Sequence, residues 1–273
     1  MLKRLLMKSF FFAMIIDMTF SILFWNIWVD NQIKGERDSK TLLTELKRIL
    51  NDYKPDFIGL NEVLKGVDTD NPFIFDYLKS ECGYEFSYFA PASQFDDDWF
   101  IGAGFCSKVK PKSIYDIAIS KDTPAERRGY KGFELKAATA QMKLNAININ
   151  IIVAHPMHLR PYTLKDHYEG TKTLENLIRS REFSRNTILA GDFNEPGFMP
   201  RAFKNNVKDI MNMRTGSKRN TTWRLNAKPK TIVRANLDQL YWTKDSDFNV
   251  KSFEIIKTNV SDHRPIFATF KYK

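Results

Sequence analysis

Residues 187–196 read TILAGDFNEP. The apolar run Ile188-Leu189-Ala190 reads as a buried strand, and Gly191 ends it. Asp192 and Asn194 follow, one residue apart. Side chains two apart on a strand share a face, so a carboxylate and an amide lean together from its mouth. That suits work on a polar ligand and suits core packing poorly. Gly, Asp and Asn are also ordinary turn residues, so the stretch alone reads equally well as a strand-to-loop turn. The flanking chain decides between the two.

Upstream, residues 164–178 carry Leu164, Tyr168, Thr171, Leu174, Leu177 and Ile178 at helical spacing. Before that helix, residues 133–144 and 147–154 read as paired strands. The second alternates Ile and Asn and ends in Ala154-His155-Pro156. A histidine at the mouth of a strand is as often structural as catalytic; His158 and Arg160 lie just beyond it. Nearer the start, residues 20–29, FSILFWNIWV, form a strand covered on both sides and interrupted by Asn26, which needs partners if buried. A helix over 41–52 leads to a strand over 57–61 that ends in Glu62. A helix is expected over 73–82, and strands over 84–90, 100–107 and 114–119. Asp96, Asp97 and Asp98 read as a solvated acidic loop. Arg127-Arg128-Gly129-Tyr130-Lys131 reads as a phosphate contact or a solvated turn.

Downstream, a helix is expected over 200–211, then a Lys- and Arg-rich stretch, 218–234, around Thr221-Thr222-Trp223. The strand 236–242, NLDQLYW, carries Asp238, an acid that must be paired if buried. Val260-Ser261-Asp262-His263-Arg264-Pro265 opens a last strand over 266–272.

Of the 273 residues, 43% are hydrophobic and 14% aromatic, enough for a sizeable core. No repeat or linker divides the chain, so residues 18–273 read as one domain. The net charge of +10 favours anionic partners: nucleic acid, phosphorylated small molecules or an anionic membrane. Cys82 and Cys106 match no disulfide framework or metal-ligand spacing and fit a reducing compartment. At the start, Lys3, Arg4 and Lys8 precede the apolar run 10–16, as in a signal peptide. The run is too short to span a bilayer, and no small-residue cleavage site follows it. Residues 1–17 therefore read as an uncleaved leader, or an extension before a start at Met7 or Met18, on a cytoplasmic protein. Secretion or membrane tethering is the lesser alternative.

Asn26, Glu62, His155, Asp192, Asn194, Asp238, Asp262 and His263 all fall at or beside strand ends. Scattered structural polar groups would not favour strand ends so uniformly. One site at one edge of stacked sheets would produce this pattern.

These motifs, in this order, resemble the endonuclease/exonuclease/phosphatase superfamily. It comprises metal-dependent phosphohydrolases such as pancreatic-type deoxyribonucleases, abasic-site nucleases, tyrosyl-DNA phosphodiesterases, neutral sphingomyelinases and inositol-polyphosphate phosphatases. The resemblance covers residues 20–270 through FWNIW, IGLNEV, IGAGFCSK, IIVAHPMH, LAGDFNEP, NLDQLYW and SDHRPIFATF. It implies an α/β fold, a four-layer α/β sandwich with two face-to-face, mainly antiparallel β-sheets flanked by helices. It also implies Mg²⁺ or Mn²⁺ held mainly by Glu62, with Asn26 and Asp262 beside it. The same resemblance makes His263 a cationic or acid/base group on the phosphate, oriented by Asp238, and His155 a second such histidine. Asp192 and Asn194 would position the attacking water, with either Asp192 or His263 as the base. The chain departs from the family where Pro156-Met157-His158 follows His155, and where Asn236-Leu237-Asp238-Gln239-Leu240 replaces the usual Arg-Ile-Asp-Tyr-Ile. Tyr130 is only a loose match to the phosphate-contacting tyrosine of the abasic-site nucleases.

The expected activity is metal-dependent phosphoester hydrolysis, with nucleic acid the favoured substrate, by a monomer without a stable membrane span. The alternatives are a phosphatase or a phospholipid or inositol-phosphate phosphodiesterase, and a non-catalytic nucleic-acid-binding module.

Overall fold

The structure, a computed structural model, describes residues 19–27, 36–70, 72–95, 98–119, 130–133, 135–144, 147–156, 164–195, 202–217, 221–227 and 231–273. The leader 1–17, Asp96, Asp97, Arg127, Arg128, Gly129, His158 and Arg160 lie outside them.

One sheet has seven strands in the order β14-β15-β1-β2-β4-β3-β6. These are β1 (Thr19–Asn26), β2 (Phe57–Gly66), β3 (Phe86–Phe95), β4 (Trp99–Ser107), β6 (Tyr130–Phe133), β14 (Phe248–Ile255) and β15 (Ile266–Tyr272). The other has six, in the order β10-β13-β9-β8-β7-β5. These are β5 (Ser113–Ala118), β7 (Lys136–Leu144), β8 (Ile147–Ala154), β9 (Thr187–Asp192), β10 (Met211–Thr215) and β13 (Asp238–Thr243). Within the sheets, β1 with β2 and β8 with β9 run parallel, while the other neighbours are antiparallel. A hairpin of β11 (Trp223–Ala227) and β12 (Thr231–Ala235) stands apart from both.

Alternation sorts the side chains into layers. Along β1, Phe20, Ile22 and Phe24 pack between the sheets, against Ile149, Ile151 and Val153 of β8 and Ile188 and Ala190 of β9. The residues between them, Leu23 and Trp25, face outward onto Leu42, Leu46 and Ile49 of α1 (Glu36–Tyr53) and Ile74 and Leu78 of α2 (Phe73–Cys82). On the far side, Leu189 and Tyr241 meet Leu174 and Ile178 of α3 (Leu164–Arg179) and Phe203 of α4 (Ala202–Val207). The result is the four-layer α/β sandwich, helices outside two mainly antiparallel sheets. Among the described residues, no helix is long and apolar enough to cross a membrane.

Several expected elements differ. The helix expected over 200–211 is only α4; the apolar residue Met211 opens edge strand β10, opposite Thr243. The strand expected over 133–144 divides, with β6 joining one sheet and β7 the other. β2 runs on through Glu62 to Gly66, so Glu62 does not end its strand. The sequence reading missed β14 because its residues 249–254 are largely exposed and polar, as expected of an edge strand.

The apolar inner rows run out in polar residues at one end. Asn26 follows Phe24, His155 follows Val153, and Asp192 follows Ala190, each two positions on. Gly191 makes this convergence sterically possible. A Cβ there would lie 2.0 Å from the backbone oxygen of Ala154, its partner across the β8–β9 ladder. Only backbone motion could relieve such a clash. Gly191→Ala is expected to cost about 1–3 kcal/mol, the usual range for overpacking, measured by urea denaturation. A loss below a few tenths would show that β8 and β9 separate freely.

Candidate active site

The site lies where the polar ends of β1, β8, β9 and β13 meet Asn61 and Glu62 in the middle of β2. Asn26 and Asp192 are buried, and the Asn26 amide Nδ2 donates to Glu62 Oε1 and to Asp192 Oδ2, each at 3.0 Å. One amide thus gathers two carboxylates. Glu62 reaches them through a backbone irregularity. The β2–β4 register shifts between Leu60 and Val63, and Glu62 takes the left-handed φ of 56°. Strict alternation would have turned Glu62 toward the helices, and the bulge re-aims it. A non-glycine residue held there stores strain of order 1–3 kcal/mol, which tends to occur at functional sites. Asn61 profits from the same turn: its Oδ1 accepts the Asp192 backbone N–H at 3.1 Å.

Asp192 is the centre. Its Oδ2 lies 3.5 Å from His263 Nε2 and 3.6 Å from His155 Nε2. Its Oδ1 accepts the backbone N–H of Asn194 at 2.9 Å, and Asn194 sits in the left-handed region at φ 49°, which Asn tolerates. Asn194 Nδ2 lies 3.2 Å from His155 Nε2. Burial disfavours the Asp192 charge, but the His263 and His155 imidazoles, with the Asn194 and Asn26 donors, hold its carboxyl below the usual range.

Asp238 and Asp192 face each other across the β13–β9 ladder. His263 Nδ1 meets Asp238 Oδ2 at 2.8 Å, and both residues are buried. Burial pushes the Asp238 carboxyl up to about 6 against the pull of His263. Burial opposes protonation of His263, but Asp238 and Asp192 together raise it to about 10. Around neutral pH the pair is therefore an imidazolium facing a carboxylate. His263 pKa rises from 6.5 on folding, so its stabilising contribution is complete below 6.5, erodes above it and is gone beyond about 10. In EDTA, the Tm of the wild type is expected to fall across that alkaline window more steeply than that of His263→Gln. Parallel Tm curves would refute the assignment.

Asp262 stands slightly apart, with Oδ1 3.9 Å from His263 Nε2 and Oδ2 accepting the Trp223 indole N–H at 3.0 Å. Burial raises its pKa, His263 opposes this, and the nearby Glu62 charge raises it further.

Among the described residues, ligand atoms of Glu62, His155 and Asp192 lie within 4.8 Å of one another, as do those of Asp192, Asp238 and His263. The second group is an internally paired proton-holding cluster. In the first, two carboxylates converge beside Asn26, and hard oxygen donors of this kind fit Mg²⁺ or Mn²⁺. Asp262 falls outside that group.

The sequence reading missed the supporting polar residues. Besides Asn61, these include Ser261, whose hydroxyl donates to Asn26 O at 2.9 Å and accepts the His263 N–H at 3.1 Å. Glu195 is buried and accepts the backbone N–H of Phe203 at 3.0 Å, fastening α4 to the end of the opening stretch. Their only sequence signal is adjacency to the site residues, as in Asn61-Glu62 and Ser261-Asp262.

The endonuclease/exonuclease/phosphatase family matches residues 23–263. No curated protein matches by sequence. Among solved structures, a family protein from Leptotrichia buccalis superposes with a TM-score of 0.68 at 16% identity, covering 93% of this chain and 100% of its own. D. rerio TDP2, complexed with a single-strand DNA product, gives 0.63 at 18% identity, covering 93% and 99%. A mannosyl-6-phosphatase from Bacteroides thetaiotaomicron gives 0.60 at 14%, covering 92% and 99%. Identities this low carry the fold alone, whereas the family match spans most of the chain. This chain belongs to the endonuclease/exonuclease/phosphatase family, whose members hydrolyse phosphoester bonds.

Proposed function

We propose that this protein is a divalent-metal-dependent phosphodiesterase acting on nucleic acid, through one domain running from residue 18 onward. The observation that carries the proposal is the buried Asp192 carboxylate, flanked by two histidines and joined through Asn26 to Glu62. Attack on a phosphodiester requires a water, a base for its proton, and positive charge around the phosphate oxygens. Glu62, with Asn26 and Asp262 beside it, would hold Mg²⁺ or Mn²⁺. When bound, the ion supplies Lewis acidity and charge neutralisation. Asp192, ionised at neutral pH, orients the water together with Asn194 and takes its proton as the new P–O bond forms. His263 already carries a proton, held there by Asp238 and Asp192, so it serves as a cationic donor to the phosphate rather than as the base. His155, less buried and beside Asp192, is the second phosphate-contacting or acid/base histidine. The bond to the leaving oxygen breaks as that oxygen takes a proton from the His263 imidazolium, which regains one from Asp192, 3.5 Å away.

The net charge of +10 and the Lys- and Arg-rich stretch around β11 and β12 favour a polyanionic substrate. The test is product release from single-stranded DNA, RNA, bis-p-nitrophenyl phosphate and phosphomonoesters, with Mg²⁺ or Mn²⁺ and then with EDTA. Metal-dependent cleavage of a nucleic acid is the expected result. Turnover of monoesters or lipid phosphates alone would make the protein a phosphatase or a phospholipid enzyme. Salt-sensitive nucleic-acid binding without any cleavage would make it a binding module.

A further inference from the structure

We propose that Trp223 is a positioning residue that fixes the Asp262 carboxylate for cation binding, at the end of a short strap that laces the site together. The inference rests on Asp262 belonging to the metal site, as the reading above assigns it. The strap is Thr221-Thr222-Trp223, which leads into the β11–β12 hairpin. Thr222 is fully buried. Its hydroxyl accepts the Asp238 backbone N–H at 3.1 Å, and its carbonyl accepts the Arg264 N–H at 2.7 Å. The Thr222 N–H in turn donates to Asn236 Oδ1 at 3.2 Å. One residue therefore joins the start of β13 to the loop that carries Asp262 and His263. Trp223 continues the lacing, with its backbone bridging His263 and its indole N–H reaching Asp262 Oδ2.

The chemistry of that bond sets its role. An indole N–H donates and cannot accept. Bound to Oδ2, it fixes the carboxylate plane and leaves Oδ1 on the side of His263 Nε2 and Ser261 Oγ, at 3.9 and 3.4 Å. Hydrophobic packing alone does not explain the contact, because Trp223 is only partly buried and its ring centroid lies 6.5 Å from that of His263. A second indole braces the loop from the protein side: Trp25 Nε1 donates to His263 O at 3.1 Å. The two tryptophans have different tasks, since Trp25 holds backbone and Trp223 holds the carboxylate.

Mn²⁺ titration by calorimetry on wild type, Trp223→Phe, Asp262→Asn and the double variant tests the proposal. Trp223→Phe keeps an aromatic ring and removes only the donor. It is expected to weaken Mn²⁺ binding by about tenfold, the lower end of what losing a ligand-orienting partner costs. The double variant should bind no more weakly than Asp262→Asn alone, because Trp223 acts through that carboxylate. Wild-type affinity in Trp223→Phe, or effects that multiply in the double variant, would overturn the proposal. Absence of Mn²⁺ binding by the wild type would overturn it together with the metal-dependent function, which distinguishes the two failures. Should Trp223→Phe fail to fold, tryptophan emission on Mg²⁺ addition decides. A shift in wild type that vanishes in Asp262→Asn supports the coupling, and a shift that persists overturns it.

Discussion

Asp192→Asn is expected to lower kcat by about a thousandfold or more, within the upper range for loss of a general base, while the protein still folds. The carboxylate receives Asn26 Nδ2 on one oxygen and the Asn194 N–H on the other. An asparagine amide has a single acceptor oxygen, so one of those donors would face an NH₂ group. Leaving a buried donor unpaired costs about 1–3 kcal/mol, a loss a folded domain survives. The variant has a second effect on His263. Asp192 is one of two carboxylates that keep its proton, so removing the charge lowers the His263 pKa and weakens the cation facing the phosphate. Base and cation are thereby compromised by one substitution. The measurement is kcat at saturating metal and substrate, with urea denaturation as the control for folding. A kcat within tenfold of wild type would move the base elsewhere, and the imidazole of His155 would be the next group to vary.

That Asp192 is central was only half legible in the sequence. GDFN and SDHRP announce polar groups at strand mouths, and period-two alternation correctly carries Asn26, His155 and Asp192 onto inner rows. The apolar strands with helices between them indicate by themselves only a sheet covered by helices, whereas the four-layer sandwich follows from the resemblance of the ordered motifs to the family. What alternation cannot express is a bulge. Glu62 follows Asn61 directly, so a regular strand would separate their side chains to opposite faces. Both reach the site because the β2–β4 pairing slips there, and pairing is a property of two strands that are distant in sequence. The contact that Trp223 makes was not legible, for a related reason. Its partner Asp262 is thirty-nine residues away, and a tryptophan in a basic stretch has no local mark of what its indole touches. β14 was missed because its exposed polar residues hide the strand, while its pairing with β15 makes it part of the sheet.

Glu62→Gln is expected to separate metal binding from folding. In wild type, Glu62 is held near Asp192 by one shared amide donor and near enough to Asp262 to raise the pKa of that acid. Without a cation, this concentration of negative charge is opposed by His155, His263 and hydrogen bonds, and the left-handed backbone of Glu62 adds strain. Metal binding to the folded state alone then stabilises it by RT ln(1 + [M]/Kd), about 2.7 kcal/mol at a hundred times Kd. A neutral glutamine keeps an acceptor for Asn26 and relieves the repulsion. The metal-free variant should therefore melt at or slightly above the wild type. Its Tm should no longer rise with Mg²⁺ or Mn²⁺ if, as proposed, Glu62 is the main anionic ligand. Turnover at fixed metal should fall by about a hundredfold or more, at least the upper end of what an outer partner of a metal ligand costs. The crossing of the two melting curves, variant above in EDTA and below in Mn²⁺, is the signature of a ligand. A purely structural Glu62 would give a variant that melts lower under both conditions, with the metal-dependent rise in Tm intact.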